Sequence, residues 1–241
     1  MKLVIIRHAE PDYEHDSLTP RGIVEANALH DYLKDKRVDK IYSSPFGRAL
    51  LTAQIATEGY GKEIEVRDFL HEFNTHIEQP GNPNNHFCWD FYPDYFTSQK
   101  EFYNADETYN HPLVKKYDLD KVYEKVSNNF DELLKDNGYE RYGGYYKAVR
   151  PNDNVILIFC HLGTMGIIMS HLTGIPFLLI NQHFAVAPSG MTVINTEERK
   201  EGIAQWRISR YGDVSHLILK GIEPSFHARF CERYTDDTRH D

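Results

Sequence analysis

Two short apolar runs, far apart in the chain, lead directly into histidines. Residues 3–6 are followed by Arg7 and His8, and residues 155–159 end just before His161. A continuous apolar run of this length, bounded by polar residues, is typical of a strand buried on both faces of a sheet. The pattern therefore predicts two core strands that each present an imidazole at their carboxyl end.

Helices and further strands alternate around these two runs. Thr19 and Pro20 predict a helix start, because threonine caps a first turn and proline fits the first helical position. A second helical segment follows His161 and is expected to stop at Gly174 and Pro176. The remaining predicted elements are strands at 40–43, 64–66, 191–194 and 205–208 and a helix that begins at Pro45.

This alternation predicts an α/β fold, specifically a three-layer α/β/α sandwich with a mainly parallel sheet. The length of 241 residues would allow one or two domains. We expect a single domain over residues 1–241. Since ligands in such folds bind beyond the carboxyl ends of the strands, His8 and His161 are expected to reach one crevice.

Residues 73–150 break the regular pattern. They hold more than half of the aromatic residues of the chain, which favours a packed insert over a solvated linker. We expect a helical and loop-rich insert that forms a lid or cap over the active site. Loops are indicated in its first half by Pro80, Gly81, Pro83 and Pro93, and a helix in its second half by Leu119, Val122, Val126, Phe130 and Leu133.

Charge and cysteine content narrow the class of protein. The formal net charge of −9 argues against nucleic acid or an anionic membrane as the main partner, so a small anionic substrate would need a local basic pocket. No apolar stretch approaches the ~18 residues of a membrane span. Cys88, Cys160 and Cys231 are odd in number and widely spaced, which suits a reducing compartment. We therefore expect a cytoplasmic protein.

Further polar residues are expected at the sheet edge that carries the histidines. Arg48 lies early in the helix after the strand at 40–43, and Glu72 follows the strand at 64–66. Two guanidinium groups can grip a phosphate dianion, and one imidazole can attack phosphorus while a carboxyl group protonates the departing oxygen. With Arg7, His8 and His161, this set fits a site for phosphoryl transfer.

These residues lie in segments that resemble the signatures of the histidine phosphatase superfamily, which includes the cofactor-dependent phosphoglycerate mutases. The segments occur in the order of the family. One departure is the run from Pro11 to Tyr13, where the family often has a small residue and an asparagine. The segments are Arg7-His8-Ala9-Glu10, Leu18-Thr19-Pro20-Arg21-Gly22, residues 43–53, Leu70-His71-Glu72, His161-Leu162-Gly163-Thr164 and Asp213-Val214-Ser215-His216-Leu217.

The resemblance implies a phosphoglycerate mutase-like fold and hydrolysis of small-molecule phosphate monoesters through a phosphohistidine. It makes His8 the nucleophile and Glu72 the general acid and later base, with Arg7, Arg48 and His161 binding the phosphate. It implies no metal and no cofactor. The sequence does not determine the oligomeric state, so a homodimer stays open.

Three alternatives remain at this stage. Phosphoryl transfer of the mutase type would need a basic clamp for a substrate carboxylate, and the insert has more acidic than basic residues, so a phosphatase is favoured. A non-catalytic member that only binds phosphorylated ligands would be expected to lack a site residue, and all five are present. Glu10 is a second candidate for the general acid.

Two other kinds of site find no support in the residue spacing. A cysteine phosphatase that used Cys160 would need an arginine six positions later, where Gly166 stands. The spacing of His71, His76 and His86 does not match zinc patterns.

Overall fold

The computed structural model describes residues 1–73, 75–81, 87–225 and 227, and His86 and Cys231 lie outside this part. Short 3-10 turns lie at Asp68–Leu70, Lys100–Tyr103 and Thr108–Asn110. The β-strands of the described part are β1 Lys2–Arg7, β2 Pro11–Asp12, β3 Ser17–Leu18, β4 Lys40–Ser43, β5 Ile64–Val66, β6 Tyr139–Tyr142, β7 Tyr145–Ala148, β8 Val155–Cys160, β9 Met191–Lys200 and β10 Ile203–Asp213. Its α-helices are α1 Pro20–Leu33, α2 Gly47–Ala56, α3 Pro93–Ser98, α4 Pro112–Lys116, α5 Leu119–Asp136, α6 Leu162–Thr173, α7 Phe177–His183 and α8 Ser215–Ile218. None of these helices is long and apolar enough to cross a bilayer.

Eight of the described strands form one sheet in the order β5-β4-β8-β1-β9-β10-β7-β6. Strands β5, β4, β8 and β1 run parallel, and the other four continue the sheet in antiparallel pairings. The register pairs Arg7 with Cys160 and Ser43 with Phe159. The carboxyl ends of β4, β8 and β1 therefore meet at one edge of the sheet.

Strand β1 contributes to a separate core on each face of the sheet. Leu3 and Ile5 belong to the cluster that includes side chains of α5 and α6, whereas Val4 and Ile6 pack with side chains of α1 and α2. Because side chains alternate along a strand, an apolar run without polar interruption needs cover on both faces. The predicted three-layer α/β/α arrangement is confirmed.

The predicted helix signals are also confirmed. The Thr19 hydroxyl accepts the Gly22 N–H at 3.0 Å and caps α1, with Pro20 in its first turn. Helix α6 ends before Gly174, which adopts a φ of 75° that favours glycine. These local signals set the lengths of the two helices that flank the core strands.

Two hairpins differ from the expectation. In the insert, β6 and β7 form a hairpin that pairs with β10, although only helices and loops were predicted there. Strands β9 and β10 also extend well beyond the predicted 191–194 and 205–208. The strand segments that were not predicted are largely exposed on at least one face. They therefore lack the continuous apolar runs that are typical of a strand buried on both faces.

Candidate active site

His8 directly follows β1 and is only 3% exposed. Its backbone N–H donates to the Cys160 carbonyl at 2.9 Å, and its carbonyl accepts from the Ser189 N–H at 3.0 Å. The ring atom Nδ1 lies 2.8 Å from the Ala9 carbonyl oxygen. A carbonyl can only accept, so Nδ1 carries the proton and Nε2 retains its lone pair.

Thr52 links this histidine loop to α2. Its hydroxyl accepts the Ala9 N–H at 3.0 Å and donates to the Arg48 carbonyl at 2.7 Å. Ala9 is thus held on both sides, by the imidazole of His8 and by Thr52. Thr52 lies in the matched segment 43–53, but the sequence alone gave it no role.

His161 lies beside His8, with 5.0 Å between the ring centroids. It is fully buried at the N-terminus of α6. Its Nε2 lies 2.8 Å from the Ser44 hydroxyl oxygen, a contact the sequence did not predict. The two histidines that end separate strands therefore meet, because β1 and β8 are parallel neighbours in register.

Arg7 and Arg48 bring positive charge to the same edge of the sheet. The Nη1 atom of Arg7 donates to the Val186 carbonyl at 2.6 Å, which fixes this buried guanidinium group. The Nη1 atom of Arg48 donates to Asp16 Oδ1 at 2.6 Å. The other Asp16 oxygen accepts the Gly47 N–H at 2.6 Å and so caps the start of α2. Asp16 is a further positioning residue that the sequence interpretation missed.

The two imidazoles and two guanidinium groups act on one another electrostatically. Burial holds the pKa of His8 well below its ordinary value, and the Arg7 and Arg48 charges lower it further. Burial likewise holds the pKa of His161 well below its usual range, with added effects of His8, Arg48 and Arg7. Both rings are therefore neutral near pH 7. Four of the five predicted site residues share one anion-attracting crevice.

Glu72 joins this crevice through the start of α6. Its Oε2 accepts the Gly163 N–H at 2.9 Å and its Oε1 accepts the Thr164 N–H at 3.1 Å. These are backbone donors that a helix leaves without partners in its first turn, and the N-cap His161 does not satisfy them with its side chain. Burial raises the pKa of Glu72, against the opposing effects of the two N–H donors and of Arg7. The carboxyl group is therefore suited to hold and release a proton.

Glu10 is engaged elsewhere, although it is close to His8 in sequence. Its carboxylate accepts from the hydroxyl groups of Thr19, at 2.8 Å, and Ser225. The Nε atom of Arg21 lies 3.6 Å from it. The pKa of Glu10 is lowered, because these hydrogen bonds and charges outweigh the effect of burial. An ionised, fully engaged carboxylate is a poor proton donor, so Glu72 is the better candidate for the acid.

Glu25 is a buried carboxyl group that contacts the backbone of Glu10. Its Oε2 accepts the Glu10 N–H at 2.8 Å, and the Nε atom of Arg21 lies 3.7 Å from its Oε1. Burial raises the pKa of Glu25 from 4.5 to about 7. The folded protein therefore binds this proton more tightly than the unfolded chain does, and folding loses stability as the pH rises from 4.5 to about 7.

We expect Glu25→Gln to remove this loss, because the amide oxygen can still accept the Glu10 N–H and carries no charge. Relative to the parent protein, the variant should gain about 2–3 kcal/mol of unfolding free energy between pH 5 and pH 8. Urea denaturation at both pH values measures this difference. The matched control is Glu58→Gln at an exposed position, which should show no such gain. An identical pH response of Glu25→Gln and the parent would contradict the expectation.

Within the described residues, no group of three or more histidine, cysteine or acidic side chains could hold a metal ion. His71 and His76 belong to this part, whereas His86 does not. His71 instead lies against Phe46, with ring centroids 5.7 Å apart, and its Nδ1 is 3.0 Å from the Glu72 carbonyl oxygen.

The arrangement of these side chains agrees with a comparison against known families. Residues 3–209 match the model of the histidine phosphatase superfamily, branch 1. The chain belongs to this superfamily. The match covers both core strands, both histidines and the insert.

Individual proteins that resemble this histidine phosphatase share 30% or less of its sequence. A putative phosphoserine phosphatase 2 of Hydrogenobacter thermophilus is 30% identical over 211 residues, covering 83% of this chain and 91% of that protein. A mutant phosphoserine phosphatase of Entamoeba histolytica, solved with phosphoserine, superposes with a TM-score of 0.61 at 20% identity, over 90% of this chain and 98% of that one. The α-ribazole phosphatase of Shigella flexneri gives 0.55 at 20% identity, over 89% and 97%. At these identities the structures establish the shared phosphoglycerate mutase-like fold.

Proposed function

We propose that this histidine phosphatase hydrolyses small-molecule phosphate monoesters through a phosphohistidine on His8. The observation that carries the proposal is the neutral His8 ring, whose Nδ1–H is held by a backbone carbonyl while Nε2 keeps its lone pair. A nucleophile needs that lone pair, and the fixed tautomer provides it without a separate base.

In the first step, Nε2 of His8 attacks phosphorus and the bond from phosphorus to the ester oxygen breaks. Glu72 donates its proton to the departing alkoxide, which leaves as a neutral alcohol. Arg7, Arg48 and His161 bind the phosphoryl oxygens and offset their charge as the group is transferred.

In the second step, the carboxylate of Glu72 takes a proton from a water molecule. The water oxygen then attacks the phosphohistidine, the bond from phosphorus to nitrogen breaks, and inorganic phosphate leaves. Glu72 is protonated again and His8 has regained its lone pair, so the cycle is closed. One difficult displacement is thus divided into two easier ones.

Trapping of the intermediate tests this reaction. Rapid acid-free quenching during turnover of p-nitrophenyl phosphate should give a protein carrying one phosphoryl group, and peptide mass spectrometry should locate it on His8. The label should disappear on mild acid treatment, since phosphoramidates are acid-labile. Steady turnover without any phosphoprotein, or a label on another residue, would contradict the proposed mechanism.

The mutase and the non-catalytic alternatives predict different products when 3-phosphoglycerate and p-nitrophenyl phosphate are each tested as substrates. A mutase would return the phosphoryl group to 3-phosphoglycerate as an isomer and release little inorganic phosphate. A binding protein would bind p-nitrophenyl phosphate and release no p-nitrophenol. We expect inorganic phosphate as the main product with every ester that is turned over.

We further propose a role for the insert and a class of substrate. Of the predicted insert at 73–150, we propose that the part around Trp89 covers the site as a lid, which is supported by the contact of Trp89 with the start of α6. The end of this range belongs to the central sheet instead. A phosphate ester is the proposed partner, and O-phosphoserine is a candidate because of the relative's name. The cytoplasmic location, the absence of a nucleic-acid partner and the homodimer stay predictions.

A further inference from the structure

Three aromatic side chains of the insert form one surface, which we call the aromatic wall: Phe73, Phe87 and Trp89. The Phe87 and Trp89 rings are stacked, with centroids 4.8 Å apart and planes inclined by 13°. Phe73 meets Trp89 edge-on at 5.9 Å. Phe73 is buried, whereas Phe87 and Trp89 are partly exposed. The aromatic wall is therefore supported by the buried Phe73 ring and leaves part of the Phe87 and Trp89 rings accessible.

The wall lies next to the proposed general acid. A Cβ placed on Gly163 would be 2.7 Å from Cζ3 of Trp89 and 2.8 Å from Oε1 of Glu72. Both side chains thus converge on one glycine in the first turn of α6. Trp89 therefore lies near the carboxyl group that would protonate the leaving group.

Backbone and side-chain contacts fix the wall in this position. Asn181 of α7 donates to Cys88 Sγ at 3.3 Å, directly beside Trp89. Gln182 of α7 accepts the Phe91 N–H at 3.3 Å and donates to the Phe91 carbonyl at 3.0 Å. Trp89 is therefore held from both sides along the chain, as a binding surface requires.

Carboxyl groups and one imidazole also lie near the wall. Two carboxyl groups stand at the wall: Glu72 beside Trp89, and Asp90, which accepts the Phe87 N–H at 3.3 Å. His76 lies in tilted contact with Phe87, with ring centroids 4.8 Å apart. The guanidinium groups of Arg7 and Arg48 lie with the histidines, where the proposed reaction uses them for phosphate.

We infer that the aromatic wall binds the leaving group, and that this enzyme prefers phosphate monoesters of aromatic alcohols over those of small amino-acid or sugar-acid alcohols. The inference rests on the proposed phosphatase reaction and adds its substrate class. Aromatic rings stack on an exposed indole face and bury apolar area there, whereas the small amino-acid and sugar-acid alcohols have no ring to place on it. The preference differs from that suggested by the name of the phosphoserine phosphatase relative.

Three esters of primary alcohols test the inference in the parent protein: 2-phenylethyl phosphate, ethyl phosphate and O-phosphoserine. Because all three leave as primary alkoxides, differences between them report mainly on recognition of the leaving group. We expect kcat/KM for 2-phenylethyl phosphate to exceed those for the other two by roughly 10- to 100-fold, the range for burying one ring.

Trp89→Ala should then lower kcat/KM for 2-phenylethyl phosphate by roughly 10- to 100-fold while changing that for ethyl phosphate by less than about 3-fold. The ethyl phosphate rate also reports whether the variant has kept an intact site. Trp89→Phe retains a ring and should restore much of the preference. The matched control is Tyr92→Ala, an exposed ring on the same segment, which should change neither rate.

The outcomes separate this inference from the proposed function. Preference of the parent for O-phosphoserine, or equal losses on all esters in both Trp89 variants, would overturn the substrate class while a phosphohistidine on His8 still upheld the phosphatase. Failure to form a phosphohistidine from any ester would overturn the proposed function first, and the inference with it.

Discussion

Replacing His8 with alanine is expected to reduce phosphatase turnover by more than ~10³-fold, as is typical when an enzyme loses its nucleophile. The neighbouring imidazole of His161 has its Nε2 engaged with the Ser44 hydroxyl, so it is not expected to replace His8 as the nucleophile. The fold should tolerate the change, since His8 is held mainly through its backbone contacts with Cys160 and Ser189. Initial rates with p-nitrophenyl phosphate measure the loss.

Binding separates this interpretation from simple damage to the site. Arg7, Arg48 and His161 remain in His8→Ala, so inorganic phosphate should still bind, with an affinity within about tenfold of the parent by calorimetry. His15→Ala is the control, since this exposed histidine lies in the nearby loop and should leave turnover unchanged. Substantial turnover by His8→Ala, or a phosphoryl group trapped on His161, would show that His8 is not the nucleophile.

The sequence predicted the central part of the site because that part depends on strand order alone. The uninterrupted apolar runs before His8 and before His161 could be satisfied only by strands covered on both faces. Parallel strands of that kind end at one edge, which brings the histidines together without any knowledge of loop geometry. Arg48 followed from the same rule, because it lies in the first turn of the helix after β4.

The supporting contacts could not be predicted, since they depend on side-chain directions between distant segments. Nothing in the sequence distinguishes Asp16 as the cap of α2 from its acidic neighbours Asp12 and Glu14. The choice between Glu10 and Glu72 was open for the same reason. The structure favours Glu72, because the N–H groups at the start of α6 receive its carboxyl group, whereas the Glu10 carboxylate is held by Thr19 and Ser225.

The hairpins show a second limit of pattern analysis. Strands β6 and β7 mix tyrosines with charged residues and bury only some positions, so their pattern does not differ clearly from that of a polar loop. Their pairing with β10 places the end of the insert in the central sheet.

Replacing Glu72 with glutamine is expected to slow the enzyme in a way that depends on the leaving group. The amide oxygen can still accept the Gly163 or Thr164 N–H, so the start of α6 keeps a partner, but the amide cannot donate an acidic proton. For ethyl phosphate, whose alkoxide is strongly basic, kcat/KM should fall by about 10² to 10⁴-fold. For p-nitrophenyl phosphate, whose leaving group needs no proton, it should fall by less than about tenfold.

Glu72→Gln should also slow the second step of the reaction and change the pH dependence of kcat/KM. Glu72 also activates water, so Glu72→Gln should release p-nitrophenol in a burst equal to the enzyme concentration and then turn over slowly.

Burial raises the pKa of Glu72, so in the parent kcat/KM for ethyl phosphate should fall as the pH rises through that pKa and the proton is lost. This decrease of kcat/KM with rising pH should be absent in Glu72→Gln. The control is Glu10→Gln: if that change, rather than Glu72→Gln, produced the leaving-group dependence, the acid would have to be assigned to Glu10, despite the hydroxyl groups that hold its carboxylate.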